Sequence, residues 1–150
     1  SDSLGMQLVR NGPIPKRARN AGFIAQERIV GVELTVAVIY DCVGMPLRLD
    51  LPAGTPYSFA RKYLVRPRRA PFADEALAEW VRRLATEIAG LFAIDWAARI
   101  DLIHEGTTGR LRFLECDVAP LVGPGSAFAA SLAAAGVARP EQLDLLLGVR

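Results

Sequence analysis

Alternating apolar and polar positions predict two paired strands in the second half of the chain. Residues 97–104 and 110–117 are rich in apolar side chains and are separated by a short segment of glycine and threonine. This pattern is typical of a β-hairpin. If the turn is centred on Thr108, Asp101 lies directly across from Glu115. The pattern therefore predicts both a hairpin and its register.

One face of the predicted hairpin is charged and the other is apolar. Because successive side chains of a strand alternate between faces, Arg99 and Asp101 share one face, as do Glu115 and Asp117 on the partner strand. Facing carboxylates repel each other, so this cluster requires a positive charge. Hard oxygen ligands suit Mg²⁺, while the alternative is a solvated face whose acids pair with neighbouring arginines. The apolar face, expected to be core, carries Ile100, Leu102, Leu114 and Cys116.

Hydrophobic periodicity predicts further strands and one long helix before the hairpin. Residues 23–40 read as two strands with a break at 30–31, and residues 45–51 read as a third strand. Asp74 is the expected N-cap of the helix, which should lie across the hairpin and bury Trp80. The apolar stripe of that helix comprises Ala76, Leu77, Trp80, Val81, Leu84, Ile88 and Leu91.

Proline and glycine mark the loops on either side of these elements. Residues 52–71 are rich in proline and in basic residues, so we expect an irregular loop that either contacts phosphate oxygens or is simply solvated. Residues 120–125 form a Pro/Gly loop, and Ser126 is the expected N-cap of a short helix over 127–135. Pro140 opens a last helix. A helix N-terminus after such a loop favours anions, so Ser126 can cap and also contact a ligand.

Composition describes one globular domain. The 150 residues are 51% hydrophobic and 23% charged, and the net charge of +2 gives no general reason to expect nucleic acid or an anionic membrane. Cys42, Cys116 and the single histidine, His104, match neither the usual zinc spacings nor a disulfide framework. No apolar run approaches the roughly twenty residues of a membrane span. Since no signal-peptide pattern opens the chain, a cytoplasmic location is expected.

Several motifs in a fixed order resemble the second half of an ATP-grasp enzyme, most of all a D-alanine–D-alanine ligase. They are GVELTVAV at 31–38, ARKYL at 60–64, ARID at 98–101 and LECDVAP at 114–120, followed by Ser126. Each motif alone is weak, whereas the five together extend over nearly the whole chain. The resemblance implies an α+β fold in which helices flank a mostly antiparallel sheet. Residues 1–30 would end the central ATP-clamping subdomain, and residues 31–150 would form the C-terminal catalytic domain.

The resemblance also implies an activity: an ATP- and Mg²⁺-dependent carboxylate–amine ligase that acts through an acyl-phosphate intermediate. Asp101, Glu115 and Asp117 would hold Mg²⁺ ions that bridge the ATP phosphates. Arg99 would stabilise the oxyanion formed when the amine attacks. Ser126 would hold the carboxylate of the second amino acid. The catalytic set implied in this way is Arg99, Ser126, Tyr63 and Ser3.

The remaining assignments by resemblance concern ATP. Lys62 would reach the phosphates, Glu33 would take the ribose hydroxyls, and Gln26 with Ile29 would lie at the adenine. Tyr63 matches a loop tyrosine that in the family hydrogen-bonds to the strand glutamate and to the serine loop. Together with the hairpin face, these assignments favour the metal interpretation over a solvated acidic face.

Four positions depart from the family pattern. Gln26 replaces an acid, Asp117 replaces an asparagine, Asp2 replaces a serine, and Leu121 replaces a glycine of the oxyanion hole. The chain begins at the serine loop, so we expect the N-terminal half in a longer protein or in a partner, and little activity from these 150 residues alone.

Three functions therefore stay open. The first is part of a D-alanine–D-alanine ligase or a close relative, with small amino acids as substrates. The second is an ATP-grasp ligase for another carboxylate and amine. The third is a non-catalytic nucleotide-binding module. Neither nucleic acid nor a membrane is an expected partner, and homodimerisation is left open.

Overall fold

The computed structural model describes residues 12–13, 16, 24, 26–50 and 68–149. Within these residues the strands are β1 (Gly31–Ile39), β2 (Cys42–Val43), β3 (Leu47–Asp50), β4 (Arg68–Pro71), β5 (Ala97–Glu105) and β6 (Leu111–Asp117). The helices are α1 (Glu75–Leu91), α2 (Ala127–Ala134) and α3 (Arg139–Leu147). All the described strand pairs are antiparallel. The predicted α+β class with a mostly antiparallel sheet is therefore confirmed.

The long pair formed by β1 and β5 is the centre of the sheet. The strand order is β4-β3-β1-β5-β6, and the short strand β2 pairs with the end of β1. The central pairing runs in unbroken register from Gly31 opposite Glu105 to Ile39 opposite Ala97. A Cβ atom on Gly31 would lie 2.2 Å from the carbonyl oxygen of His104, so only glycine fits this close approach at the start of the pair.

Two apolar clusters bury the two faces of the sheet. On the first face, α1 packs on β1 and β5, and on the second face α2 packs on the ends of the same two strands. The first cluster contains Leu34, Val36, Val38, Val81, Ala85, Ile88, Ala89, Ile100 and Leu102. The second contains Ala37, Ile39, Ala97, Phe128, Leu132 and Val137. Burial on both faces explains why β1 reads as an almost continuous apolar run.

A buried serine joins the second helix to the sheet. The hydroxyl of Ser131 accepts a hydrogen bond from the backbone N–H of Ala37 at 3.0 Å and donates one to the carbonyl of Met45 at 2.7 Å. Both hydrogen-bonding functions of this fully buried hydroxyl are thus used. The contact fixes α2 over β1.

The long helix begins as predicted and packs on the hairpin strand β5 as well as on β1, but Trp80 does not lie in this contact. Asp74 caps it by accepting a hydrogen bond from the N–H of Leu77 at 3.0 Å. Trp80 is 42% exposed and Leu91 is 82% exposed, so the predicted burial of Trp80 against the hairpin is wrong. The buried face of the helix includes Ala78, Val81, Ala85, Ile88 and Ala89. Small alanines allow the helix to approach the central strands, which leaves the bulky tryptophan at the margin.

The other predicted elements are partly confirmed. The second of the two strands predicted over residues 23–40 is present and begins at Gly31, but residues 26–30 form no strand, so the first predicted strand is wrong there. Residues 68–71, predicted as loop, form β4 because they pair with β3. The two short helices after the hairpin are present, one capped by Ser126 and the other with proline in its first turn. No helix among the described residues has the length and apolar character that a membrane crossing requires.

Two leucines of opposite exposure test this account of the core. Leu102 is fully buried between β1 and α1, whereas Leu91 is 82% exposed. We expect Leu102→Ala to lower the free energy of unfolding by about 2–5 kcal/mol, because it leaves a cavity. The control, Leu91→Ala, should change that free energy by less than about 0.5 kcal/mol. Urea unfolding measures both, and equal losses would contradict the assignment of the buried face.

Candidate functional site

The hairpin of β5 and β6 has the predicted register where the charged residues lie. Arg99 pairs with Asp117 and Asp101 pairs with Glu115. Beyond Asp101 a bulge shifts the pairing, and Leu102 lies opposite Phe113. The extra residue is Leu114, which is 44% exposed. Its predicted place in the core is therefore wrong, because a bulge leaves one residue outside the alternation.

Arg99 lies at the centre of the charged face and contacts all three carboxylates. Its Nη2 atom is 2.9 Å from Asp101 Oδ2 and 3.0 Å from Glu115 Oε1. Its Nη1 atom is 3.2 Å from Asp117 Oδ2. The Nε atom also donates to Asp101 Oδ1 at 3.0 Å, so the Arg99–Asp101 pair is bidentate. We call these four residues the Arg99 cluster.

A threonine of the central strand also contacts the Arg99 cluster. Thr35 lies opposite Asp101 in the register of β1 and β5, and its hydroxyl donates to Asp101 Oδ1 at 2.7 Å. Thr35 is 2% exposed, so Asp101 also satisfies a buried polar group. Sequence reasoning missed this contact. The available signal was a polar residue on the alternate face of an otherwise apolar strand.

Burial and charge shift the pKa values of the groups in and beside the cluster. Burial raises the pKa of Asp101, and this effect outweighs the lowering by Arg99 and Thr35. Burial also raises the pKa of Glu33, with a further increase from the negative charge of Asp101. Burial alone would lower the pKa of Arg99, but its hydrogen bond with Asp101 and the nearby carboxylates raise it overall. Burial therefore disfavours the ionised forms of Asp101 and Glu33.

The donor set of the cluster fits Mg²⁺ in its chemistry. Asp101, Glu115 and Asp117 supply hard oxygen ligands from two adjacent strands, which Mg²⁺ prefers. In the arrangement described over 26–50 and 68–149, no group of three or more acidic, histidine or cysteine side chains is arranged to hold a metal ion. The three carboxylates instead form ion pairs with Arg99. The metal assignment of the three acids stays a prediction.

The residues assigned to ATP are only partly within the described chain. Glu33 lies on β1 two positions before Thr35, on the same face of the strand, and is half-buried. Gln26 is exposed and Ile29 is half-buried, both in the segment before β1. Their contacts with adenine stay predictions. Lys62, Tyr63, Ser3 and Asp2 lie outside the described residues.

The Pro/Gly loop leads directly into α2. The Ser126 hydroxyl accepts a hydrogen bond from the N–H of Ala129 at 3.1 Å, which confirms the predicted N-cap. Arginines from two other elements contact carbonyls of the loop: Arg69 donates to Gly125 at 2.8 Å, and Arg139 donates to Val122 at 3.0 Å. Neither arginine was predicted, because each contact joins segments that are distant in sequence.

The edge strand β6 ends in a local turn that belongs to the same region. The N–H of Ala119 donates to Asp117 Oδ1 at 3.1 Å, while Asp117 Oδ2 contacts Arg99. A carboxylate that accepts from the backbone two residues later is a common turn motif. Asp117 therefore both belongs to the Arg99 cluster and orients the start of the Pro/Gly loop. Leu121, in that loop, is 70% exposed.

Along the chain, the charged strand β6 is followed by the Pro/Gly loop and the N-terminus of α2. No family model matches the chain. D-alanine–D-alanine ligase B of Xanthomonas campestris pv. campestris is 31% identical over 106 residues, which are 69% of this chain and 33% of that protein. The D-alanine–D-alanine ligase of Xanthomonas axonopodis pv. citri is 29% identical over the same length. The chain thus spans about a third of the length of these curated relatives.

Solved structures match a larger part of the chain. The D-alanine–D-alanine ligase of Bacillus anthracis complexed with ATP has a TM-score of 0.65 at 18% identity, over 81% of this chain and 38% of that one. The VanG D-Ala:D-Ser ligase of Enterococcus faecalis has a TM-score of 0.67 at 22% identity, over 82% and 37%. The chain is therefore a partial match to D-alanine–D-alanine ligases in sequence, and it matches ligases of this kind in fold. The resemblance predicted from the motifs is confirmed.

The buried hydroxyl of Thr35 gives a test of the cluster that needs no ligand. We expect Thr35→Val to lower the free energy of unfolding by about 1–3 kcal/mol, because it removes a buried hydrogen bond to a charged group and keeps the shape. Thr86→Val, at an exposed position of α1, is the matched control and should change that free energy by less than about 0.5 kcal/mol. Urea unfolding at neutral pH measures both. Equal effects would show that Thr35 contributes nothing to the cluster.

The raised pKa of Glu33 predicts that replacing its carboxylate with a neutral amide stabilises the protein at neutral pH but not at acidic pH. Between its ordinary pKa of 4.5 and the raised folded value, the folded state binds more protons than the unfolded state, so stability falls as pH rises. Glu33→Gln removes this loss. The variant should match the wild type near pH 4 and exceed it in melting temperature at neutral pH. Glu87→Gln, on an exposed part of α1, is the control, and a pH-independent gain for Glu33→Gln would refute the argument.

Proposed function

We propose that this chain carries the phosphate- and metal-binding part of an ATP- and Mg²⁺-dependent carboxylate–amine ligase of the D-alanine–D-alanine ligase type. The observation that carries the proposal is the Arg99 cluster, in which one guanidinium contacts three carboxylates on adjacent strands. These are the same residues that the motifs assign to Mg²⁺ and to the oxyanion. Partial sequence similarity to two D-alanine–D-alanine ligases supports the proposal.

Each member of the cluster has a distinct role in this proposal. Asp101, Glu115 and Asp117 would hold Mg²⁺, which when bound neutralises negative charge on the transferring phosphoryl group. Asp101 contacts both Nε and Nη2 of Arg99 and so fixes the plane of its guanidinium. An oriented, half-buried positive charge suits the negative charge that develops on oxygen during acyl transfer. Thr35 positions Asp101 from the neighbouring strand.

The second substrate would be bound at the start of α2. Within the described residues the Ser126 hydroxyl only accepts a hydrogen bond, from Ala129, so its proton is available to a carboxylate. The N-terminus of a helix also favours negative charge. On the nucleotide side, Glu33 would contact the ribose and Gln26 with Ile29 the adenine. Lys62, Tyr63 and Ser3 keep the roles that the resemblance implies.

The proposed domain division places residues 1–30 in the ATP-clamping subdomain and residues 31–150 in the catalytic domain. The start of the central strand at Gly31, after described residues without strand structure, is consistent with this division. The matched residues make up about a third of the length of the relatives. We therefore propose that further chain or a partner completes the substrate site.

A different second substrate is the main alternative. Leu121 replaces a glycine of the family pattern and is 70% exposed in the loop that precedes Ser126. An exposed side chain here changes the shape of the pocket for the incoming amine. The VanG D-Ala:D-Ser ligase shares the fold with a TM-score of 0.67, so this fold occurs with more than one second amino acid. The cluster chemistry is the same in both cases.

A thermal-shift titration with ATP and Mg²⁺ tests the proposal. A ligand at a hundred times its dissociation constant stabilises the folded state by about 2.7 kcal/mol, which raises the melting temperature by several degrees. We expect an Mg²⁺-dependent shift in the wild type. The shift should disappear in Glu115→Gln, because this substitution removes the negative charge of one of the three carboxylates proposed to hold Mg²⁺. Glu87→Gln, at an exposed position of α1 outside the Arg99 cluster, should keep the shift.

Two results would contradict the proposal. The first is a shift that persists unchanged in Glu115→Gln, which would place the nucleotide elsewhere. The second is the absence of any Mg²⁺-dependent shift in the wild type, which would leave the acids as an ion-paired face. A shift without turnover when D-alanine is added would instead favour the nucleotide-binding module.

A further inference from the structure

Arg69 makes a long-range contact that the motifs do not contain. It lies on β4, where it pairs with Leu49 of β3, and is half-buried. Its Nη1 atom donates a hydrogen bond to the carbonyl of Gly125 at 2.8 Å, across a sequence separation of 56 residues. The adjacent residue on the strand, Arg68, is exposed and points to the opposite face. The strand thus offers its own matched control.

The peptide group between Gly125 and Ser126 is held at both ends. Arg69 bonds its carbonyl oxygen, and the N–H of Ser126 donates to the carbonyl of Gly123 at 3.0 Å. Gly125 has φ +76°, in the left-handed region. Because glycine has no Cβ and rotates easily between backbone conformations, the orientation of this peptide group depends on its hydrogen bonds.

The orientation of that peptide group determines where Ser126 points. Ser126 has φ −68° and ψ 158°, the extended conformation of an N-cap, and its hydroxyl accepts from Ala129 at 3.1 Å. If the preceding peptide turned, the hydroxyl would leave the first turn of α2. The earlier part of the loop is held separately, since Arg139 donates to the carbonyl of Val122 at 3.0 Å. Arg139 thus holds the start of the loop, and Arg69 holds the end that leads into Ser126.

We propose that Arg69 is a positioning residue that holds the Gly125–Ser126 peptide so that Ser126 presents its hydroxyl to the carboxylate of the amino-acid substrate. The part that concerns substrate rests on the function proposed above. The guanidinium also places a positive charge one peptide group from Ser126, which favours an anionic carboxylate over a neutral group. Arg69 therefore sets affinity for the second amino acid and leaves nucleotide binding unchanged.

The positioning role is tested first without any ligand, by amide hydrogen exchange followed by NMR on the full chain. We expect Arg69→Ala to increase exchange several-fold at the amides of Ser126 and Ala129, whose acceptors belong to the loop and the cap. Arg68→Ala removes the same charge from the same strand and should leave both amides protected. Arg69→Lys, which keeps a charged donor, should restore part of the protection. Equal exchange in Arg69→Ala and Arg68→Ala would overturn the proposal.

The substrate role is tested by titrating D-alanine, in the presence of ATP and Mg²⁺, into the chain together with the further segment or partner that completes the substrate site, with chemical shifts at Ser126 as readout. We expect about tenfold weaker D-alanine binding in Arg69→Ala, the size of one hydrogen bond to a charged group. Binding of ATP should be unchanged, and Arg68→Ala should bind both ligands like the wild type. Unchanged D-alanine affinity together with faster exchange would overturn the substrate role.

The two arms separate this proposal from the function on which it partly rests. If the wild type shows no ATP-dependent shifts, the proposed function fails, whereas the exchange experiment still decides whether Arg69 holds Ser126. If ATP binds in the wild type and Arg69→Ala weakens ATP and D-alanine equally, the loop acts as a general structural support and the assignment of Arg69 to the second substrate is overturned.

Discussion

The contact of one guanidinium with three carboxylates is the constraint on which the site depends. Arg99 bonds acids on its own strand and on the neighbouring strand, so its contacts exist only in one register of β5 and β6. A slip by one residue would send Ile100 and Leu102, which are fully buried, to the charged face. The apolar core and the Arg99 cluster therefore favour the same register of β5 and β6, and both contribute to specifying it.

The central strand β1 contributes both to the apolar core and to the Arg99 cluster. One face contributes Leu34, Val36 and Val38 to the cluster under α1, while the other presents Thr35 to Asp101. Burying Asp101 raises its pKa, so the ionised carboxylate is held at a cost that the core offsets. The ion pair of Arg99 with Asp101 is largely buried, which strengthens its electrostatic interaction. The stability of the sheet and the arrangement of its charged face are thus linked.

The sequence predicts what depends on local patterns and misses what depends on distant contacts. Alternation in β5 and β6 predicts the pairing of Asp101 with Glu115, and a serine before an apolar run predicts the cap of α2. The bulge that exposes Leu114 has no local signature, because it depends on which residue the two strands leave unpaired. Trp80 is misplaced because helix periodicity does not specify how the helix is rotated relative to the sheet. Strand β4 exists only because it pairs with β3.

The same distinction separates the charged residues of the Arg99 cluster from the residues that contact the cluster or the Pro/Gly loop from other elements. The charged residues of the cluster lie in two short motifs and are recognisable from sequence, as their confirmed register shows. Thr35 contacts Asp101, and Arg69 and Arg139 contact carbonyls of the Pro/Gly loop, at sequence separations of 66, 56 and 17 residues. Ligases of this fold differ in their second amino acid while sharing the fold itself. In the proposed function, selectivity is more easily changed through orienting residues, which can alter a pocket without removing one of the charges of the Arg99 cluster.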